Sequence, residues 1–526
     1  MWNRKYLSML FVLLLVVSAC GKPSADPASE ESGSKENRIV YASESEFAGL
    51  NPLLEETNVD ALLFRGLLRF DENNIPQNDI AQQVDISEDL LTYTFTLKEN
   101  IHFHDGTLLS ADDVVFTIES ILDDQNASYL KSDFIAVDTV EKNTQGQVVI
   151  TLKYPFSPFL DKMTVPILPK HAFEGETMRD SAFNRSPIGA GPYQIEEWNS
   201  GDYLSLKAFP EFFGTVPSID HVVFKFIEDS TMRALQLKTG EVDVALLDPS
   251  QVKAVSKEDS ITLYDIDSAD YRGMLFNMNH EIFQDVNVRK ALSFATDREN
   301  MVKGILFGFG EVAYSPLQKN TYQNSDIEKY SYHIEKANEL LESAGWKKRT
   351  DGFRYKGTEK LAFTITSPIT DEVRVDMANY LSESFKEVGA DVDVAALDWS
   401  AIQIEETDAF MIGWGSPYDA DHHTYNLFHS DEASLTSSGY NYGSYSNEKV
   451  DQLITEGRKT VDEEKRKQIY EQLQYELAED PPFIYIAYMD AVYGMNKNIT
   501  GVKERTLGHH GSGFLWNVEE WQWNDR

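Results

Sequence analysis

The sequence predicts a mixed α/β protein, and three observations carry that reading. Residues 91–97, LTYTFTL, alternate with period two, so Tyr93, Phe95 and Leu97 share one face of a strand. Ser110-Ala-Asp-Asp113 then opens an apolar run at helical spacing, Val114, Val115, Ile118 and Ile121, with Ser110 as its cap. Residues 461–478, VDEEKRKQIYEQLQYELA, form a helix charged on one face, which Pro481-Pro482 stops because proline offers no amide donor. A short β-rich run, FIYIAY at 483–488, follows as a buried strand.

The remaining elements alternate in the same way. Residues 38–43, RIVYAS, form the first strand, and residues 284–306 are expected to form a single helix. No repeat of roughly 20 to 50 residues recurs, which argues against a solenoid or propeller.

Cys20 is the only cysteine in 526 residues, and it closes an apolar stretch, Tyr6 to Ala19, that follows Arg4 and Lys5. A basic start, a short hydrophobic core and small residues before a cut site are the parts of a secretory signal. Val17-Ser18-Ala19-Cys20 resembles a bacterial lipobox, which implies cleavage before Cys20 and acylation of its thiol. The stretch is shorter than the roughly 20 apolar residues of a membrane span. Residues 21–37 contain no aromatic or large aliphatic side chain, so they are expected to be a flexible spacer.

Cleavage would remove Arg4 and Lys5 and leave 45 basic against 86 acidic residues, a balance of −41 compared with −39 for the whole chain. Such acidity repels phosphate backbones, so nucleic acid is not expected as a partner. It also keeps an exported protein soluble and steers cationic or zwitterionic solutes only weakly.

Four stretches, taken in order, resemble the large solute-binding proteins of bacterial ABC importers, the peptide, dipeptide and nickel-binding family. They are YTFTLKENIHFHDGTLLSADDVVFTI from Tyr93, PIGAGPYQIEEWNSGDYLSLKAFPEFFG from Pro187, DVNVRKALSFATDRENM from Asp285, and Gly413-Trp414 with YGSYSNEKVDQL from Tyr442. The resemblance implies a two-lobed periplasmic-binding-protein-like fold with a hinge and an extra subdomain in the N-terminal lobe. It divides the chain into a signal peptide (1–19), anchor and spacer (20–37), lobe I (38–58), subdomain (59–185), lobe I continued (186–270), lobe II (271–488) and a return to lobe I (489–526).

Each motif also has a physical reading of its own. His104-Asp105-Gly106-Thr107 has the composition of a tight turn. Gly189 and Gly191 suit a close crossing of chains. Arg289 is expected to form a structural ion pair with Asp285 on the same helix.

In peptide-binding relatives an aspartate shortly after the Gly-Trp pair grips the ligand's amino terminus. Here that place falls on Pro417, so Asp419 or Asp421 would have to take over the role. The resemblance places Tyr271, Trp399 and Trp414 at the solute cavity, and lets the backbone of Met274–Asn277 pair with an extended peptide as an added strand.

Five of eleven histidines sit in two segments, His422, His423 and His429 in one and His509 and His510 in the other. Neutral imidazole suits nickel, copper or zinc, so a metal ligated from both lobes is the alternative solute. Adjacent histidines in an extended chain would point apart. No Gly-x-Ser-x-Gly elbow, mature free thiol or His-Glu-x-x-His helix is present, and no enzyme activity is expected.

The resulting expectation is a monomeric lipoprotein, held on the outer face of the cell membrane by lipid alone. It would capture peptide by lobe closure and deliver it to an ABC permease and its ATPase subunits. No cofactor is expected. The alternative is nickel or a metal chelate as the transported solute.

Overall fold

Strand Arg38–Ser43 lies inside a seven-stranded sheet, parallel to His221–Phe226 on one side and to Val244–Leu247 on the other. In this computed structural model residues 37–524 are described, apart from Glu176 and Ser438. The signal peptide, Cys20 and nearly all of the spacer therefore lie outside the described residues. The first sheet runs Ile261–Ile266, Ala491–Asn496, Val244–Leu247, Arg38–Ser43, His221–Phe226, Tyr203–Ala208 and Tyr193–Asn199. It is the frame of lobe I.

A six-stranded sheet frames lobe II, in the order Gly310–Val312, Phe483–Met489, Tyr271–Phe276, Ala409–Trp414, Ala362–Pro368 and Asp391–Leu397. FIYIAY is buried, as its composition predicts, because helices and loops cover both faces of this sheet. The subdomain carries a four-stranded antiparallel sheet, including Thr92–Leu97 with Tyr93 and Phe95 turned into the core.

Two short connections join the sheets, residues 267–270 going out and residue 490 coming back. They are bonded together: the Ser268 hydroxyl donates to the Met489 carbonyl (2.5 Å), and the Met489 amide donates to the Asp270 carbonyl (2.8 Å). One apolar core runs from the subdomain onto a face of the lobe I sheet, whereas lobe II is packed by two clusters of its own. Subdomain and lobe I thus share a core that lobe II does not.

Local expectations fare unevenly. The helix at Ala111–Leu122 has a full capping box, Ser110 and Asp113 each accepting from the other's backbone. Residues 284–306 instead form separate helices, Val286–Phe294 and Arg298–Gly304, after a turn at Glu281–Gln284. Asp285 and Asp297 each cap a new start, accepting from the amides of Asn287 and Asn300, so apolar periodicity continues through a break in the backbone. With its carboxylate used in this way, Asp285 is not the partner of Arg289. Arg289 reaches Asp480 (2.6 Å) and the Pro481 carbonyl (2.8 Å).

The two glycine-rich motifs meet through His104. Its Nδ1 accepts from the Gly189 amide and its Nε2 lies 3.1 Å from the Gly191 carbonyl, so a neutral ring protonated on Nε2 satisfies both. Burial pushes its pKa down to about 4, which keeps that tautomer at neutral pH. Gly189 has no room for a side chain, since a Cβ there would stand 1.8 Å from the Leu63 carbonyl oxygen.

Candidate functional site

Lobe II delivers its contribution to the cleft through the chain that leaves strand Ala409–Trp414. Trp414 ends the strand, and its ring stacks on Tyr440 at 4.9 Å. The following loop is held by two arginines from the helices Glu448–Lys459 and Glu463–Glu479. Arg466 grips Asp419 with both terminal nitrogens (2.5 and 2.6 Å), and Arg458 pairs with Asp421 (2.9 Å). Burial alone would raise the Asp419 carboxyl, but Arg466 holds it below its ordinary range. Both aspartates are therefore committed to arginine, and neither is an open anchor for a solute amine.

What that loop presents is aromatic and imidazole. Tyr418 stacks face to face on Phe70 of the subdomain, with ring centres 3.9 Å apart and planes 8° apart. His422 and His423 follow in a turn closed by the His422 amide on the Asp419 carbonyl, so their rings lie together, 4.6 Å between centres. The reversal of the chain brings both to one cavity, where an extended segment would have separated them. Desolvation is the main cause that pushes His422 down to about 3 and His423 well below its usual value. Both are neutral at physiological pH.

The cavity measures about 340 Å³ and is lined by three parts of the chain. Lobe II gives Trp414, Tyr418, His422 and His423; the early chain and subdomain give Glu56, Asp60, Arg69 and Asp133; the return segment gives Arg505 and Trp516. Desolvation raises the Asp60 carboxyl to about 7 and also raises Glu56. It lowers Arg505, whose guanidinium lies over the Trp516 ring. The cavity thus offers acid on one part of its wall and guanidinium on another.

The other sequence candidates are distributed differently. His509 stacks near Trp414, with ring centres 6.0 Å apart, but its Nδ1 is engaged by Asp270 at 2.7 Å. His510 stands 3.3 Å from Arg374, and His429 bonds Thr455 and packs on Tyr425 away from the cavity. Tyr271 is a core residue, buried between Tyr485 and Tyr488. Trp399 is 49 % exposed and packs on Phe410, also outside the cavity lining. Met274 and its strand neighbours are paired on both sides, with Ala409–Trp414 and Phe483–Met489, so this strand has no free edge for a peptide. The sequence offered no signal for Phe70, Arg69, Glu56 or Arg505: the first two lie on a strand of only three residues, Leu68–Phe70, and the others in loops, with no motif around them.

Among the described residues no group of three or more His, Cys, Asp or Glu side chains is arranged to hold a metal ion. No described helix is long and apolar enough to cross a membrane.

Two lobes, paired connections and a cavity between them have the architecture of a two-lobed solute receptor. The chain belongs to the bacterial extracellular solute-binding proteins, family 5, whose middle region it matches over residues 76–435. These are the extracytoplasmic binding proteins of ABC importers. It is 31% identical to the oligopeptide-binding protein AppA of Bacillus subtilis over 98% of this chain and 97% of AppA. The structure of NikZ from Campylobacter jejuni in complex with Ni(L-His) is similar, with a TM-score of 0.90 and 38% identity over 93% of this chain and 99% of NikZ. AppA bound to a nonapeptide superimposes with a TM-score of 0.84 and 30% identity, over 93% of this chain and 99% of that one.

Proposed function

We propose that this protein is a lipid-anchored receptor that captures a small, amino-acid-derived metal chelate, of the nickel–histidine kind, and delivers it to an ABC permease. The observation that carries the reading is the cavity of about 340 Å³ walled by the neutral imidazoles of His422 and His423. That volume is near the lower end of the roughly 300–1,000 Å³ of small-molecule sites. The volume suits a single chelate or a di- or tripeptide better than an extended nonapeptide, which spans about 30 Å at about 3.3 Å per residue. Neutral imidazole suits nickel. With fewer than three protein ligands assembled among the described residues, the ion would arrive already chelated. Arg505 suits the chelator's carboxylate, Arg69 being paired with Glu519 (2.9 Å), and likeness to NikZ points the same way.

A second reading, a di- or tripeptide, is favoured by Glu56 and Asp60, which line the cavity and could receive an ammonium group. Calorimetric titration separates the two. Nickel with L-histidine is expected to bind and EDTA to abolish binding, with His423→Ala weakening it by about tenfold or more, the loss of one ligand. Tight binding of a dipeptide that is indifferent to chelator would overturn the chelate reading.

A further inference from the structure

The seam between the subdomain and lobe II converges on Arg458. Its guanidinium is buried, pairs with Asp421 of its own lobe, and extends one nitrogen to the Ser132 carbonyl of the subdomain (3.2 Å). Its main-chain carbonyl accepts from the Ser157 amide, again of the subdomain (2.8 Å). The guanidinium lies over Tyr425 of lobe II at 3.6 Å and near Phe156 of the subdomain at 5.1 Å. One residue is therefore bonded to the opposing body through both its backbone and its side chain.

The same seam reaches the cavity within one peptide unit. Ser132 donates its hydroxyl to Asn426 of lobe II (2.9 Å), and the next residue, Asp133, lines the cavity with its carboxylate on Lys162 (2.7 Å). Asn426 lines the cavity too. Because the subdomain shares its core with lobe I, contacts between it and lobe II must break when the lobes part.

We propose that Arg458 is a positioning residue for closure: a latch, preset by Asp421, that holds the subdomain against lobe II and so sets how long the cavity stays shut. Two hydrogen bonds made only in the closed arrangement slow opening, and they leave solute entry unaffected. Asp421 neutralises and orients the guanidinium on its own lobe, so the latch is already formed before the lobes meet. This role is independent of which solute occupies the cavity.

The test uses Arg458→Lys, which keeps a charge opposite Asp421 but loses the planar fork, and Ser132→Ala, which leaves the ion pair intact and removes the bond to Asn426. In solute-free protein, amide exchange at Ser157 is expected to quicken about tenfold in Arg458→Lys, the equivalent of one hydrogen bond to a charged group, and less in Ser132→Ala. Exchange at Ile486, in the lobe II core, is expected to stay at the wild-type rate. Nickel added with L-histidine should dissociate faster from both variants with its association rate unchanged. Parallel acceleration at Ser157 and Ile486 would show a role in fold stability alone and overturn the proposal. So would wild-type exchange at Ser157 in both variants. Because the exchange measurement contains no solute, failure of the nickel–histidine reading would leave this result interpretable.

Discussion

Arg466 and Asp419 face each other as a two-pronged fork, Nη1 to Oδ2 at 2.5 Å and Nη2 to Oδ1 at 2.6 Å, with Arg466 fully buried. The pair ties the loop bearing Tyr418 and His422 to the helix Glu463–Glu479. Arg466→Met would leave a buried carboxylate without its counter-charge, at a cost of about 3 kcal/mol. Urea unfolding should show that loss, and the double variant Asp419→Asn/Arg466→Met should recover much of it. Equal loss in single and double variants would refute the pair's role.

The two tryptophans nominated by sequence should behave differently. Trp414 lines the cavity between Tyr440 and His509, whereas Trp399 packs on Phe410 outside it. Titration of nickel and L-histidine is expected to show Trp414→Ala weakening affinity by about tenfold or more, as for a buried aromatic contact, and Trp399→Ala leaving it within about twofold.

Stability should respond to acid through His104 and His422. Their folded pKa values, about 4 and about 3, lie below the ordinary 6.5, so the unfolded chain takes up protons that the folded chain refuses. Their contribution is complete above pH 6.5 and is lost progressively as pH falls toward 4 and 3. Asp60 and Asp161, raised to about 7 and about 6, act oppositely, so the informative quantity is a difference between proteins. His104→Gln should be less stable than wild type at pH 7.5, and its deficit should shrink by up to about 2–3 kcal/mol at pH 4.5 in chemical denaturation.

Gly189→Ala should not yield folded protein. Its Cβ would lie 1.8 Å from backbone at Leu63, which no rotamer change can relieve. Gly106, at φ +85° with open space around it, should tolerate alanine at about 1 kcal/mol. Soluble yield and circular dichroism of the two variants check the contrast.

Signals confined to a few neighbouring residues survived the step to structure. The Ser110 cap, the Gly106 turn, the period-two strand at Tyr93 and Phe95 and the buried FIYIAY strand needed only local geometry. The single helix expected over 284–306 failed because Asp285 and Asp297 restart the backbone while the apolar spacing carries on. Arg289 was correctly read as structural but given the wrong partner, since Asp480 lies almost two hundred residues away along the chain.

The candidate site was legible in type and less so in membership. Asp419 and Asp421 turned out to be fastened by Arg466 and Arg458, and Tyr271 to be core, because burial and pairing are decided by elements distant in sequence. His422 and His423 came together because the chain turns after Asp419.

By itself the sequence determined the α/β class, the family and the chemistry available: imidazole, aromatic rings, carboxylates and a single thiol at Cys20. Tertiary structure alone decided which of these groups face the cavity, and it joined Phe70 to Tyr418 and Arg458 to Ser132 across the two bodies. The physical reason is that a residue's type and local periodicity are properties of neighbouring positions. Its desolvation, its counter-charge and its place in a cavity depend on the packing of segments hundreds of residues apart.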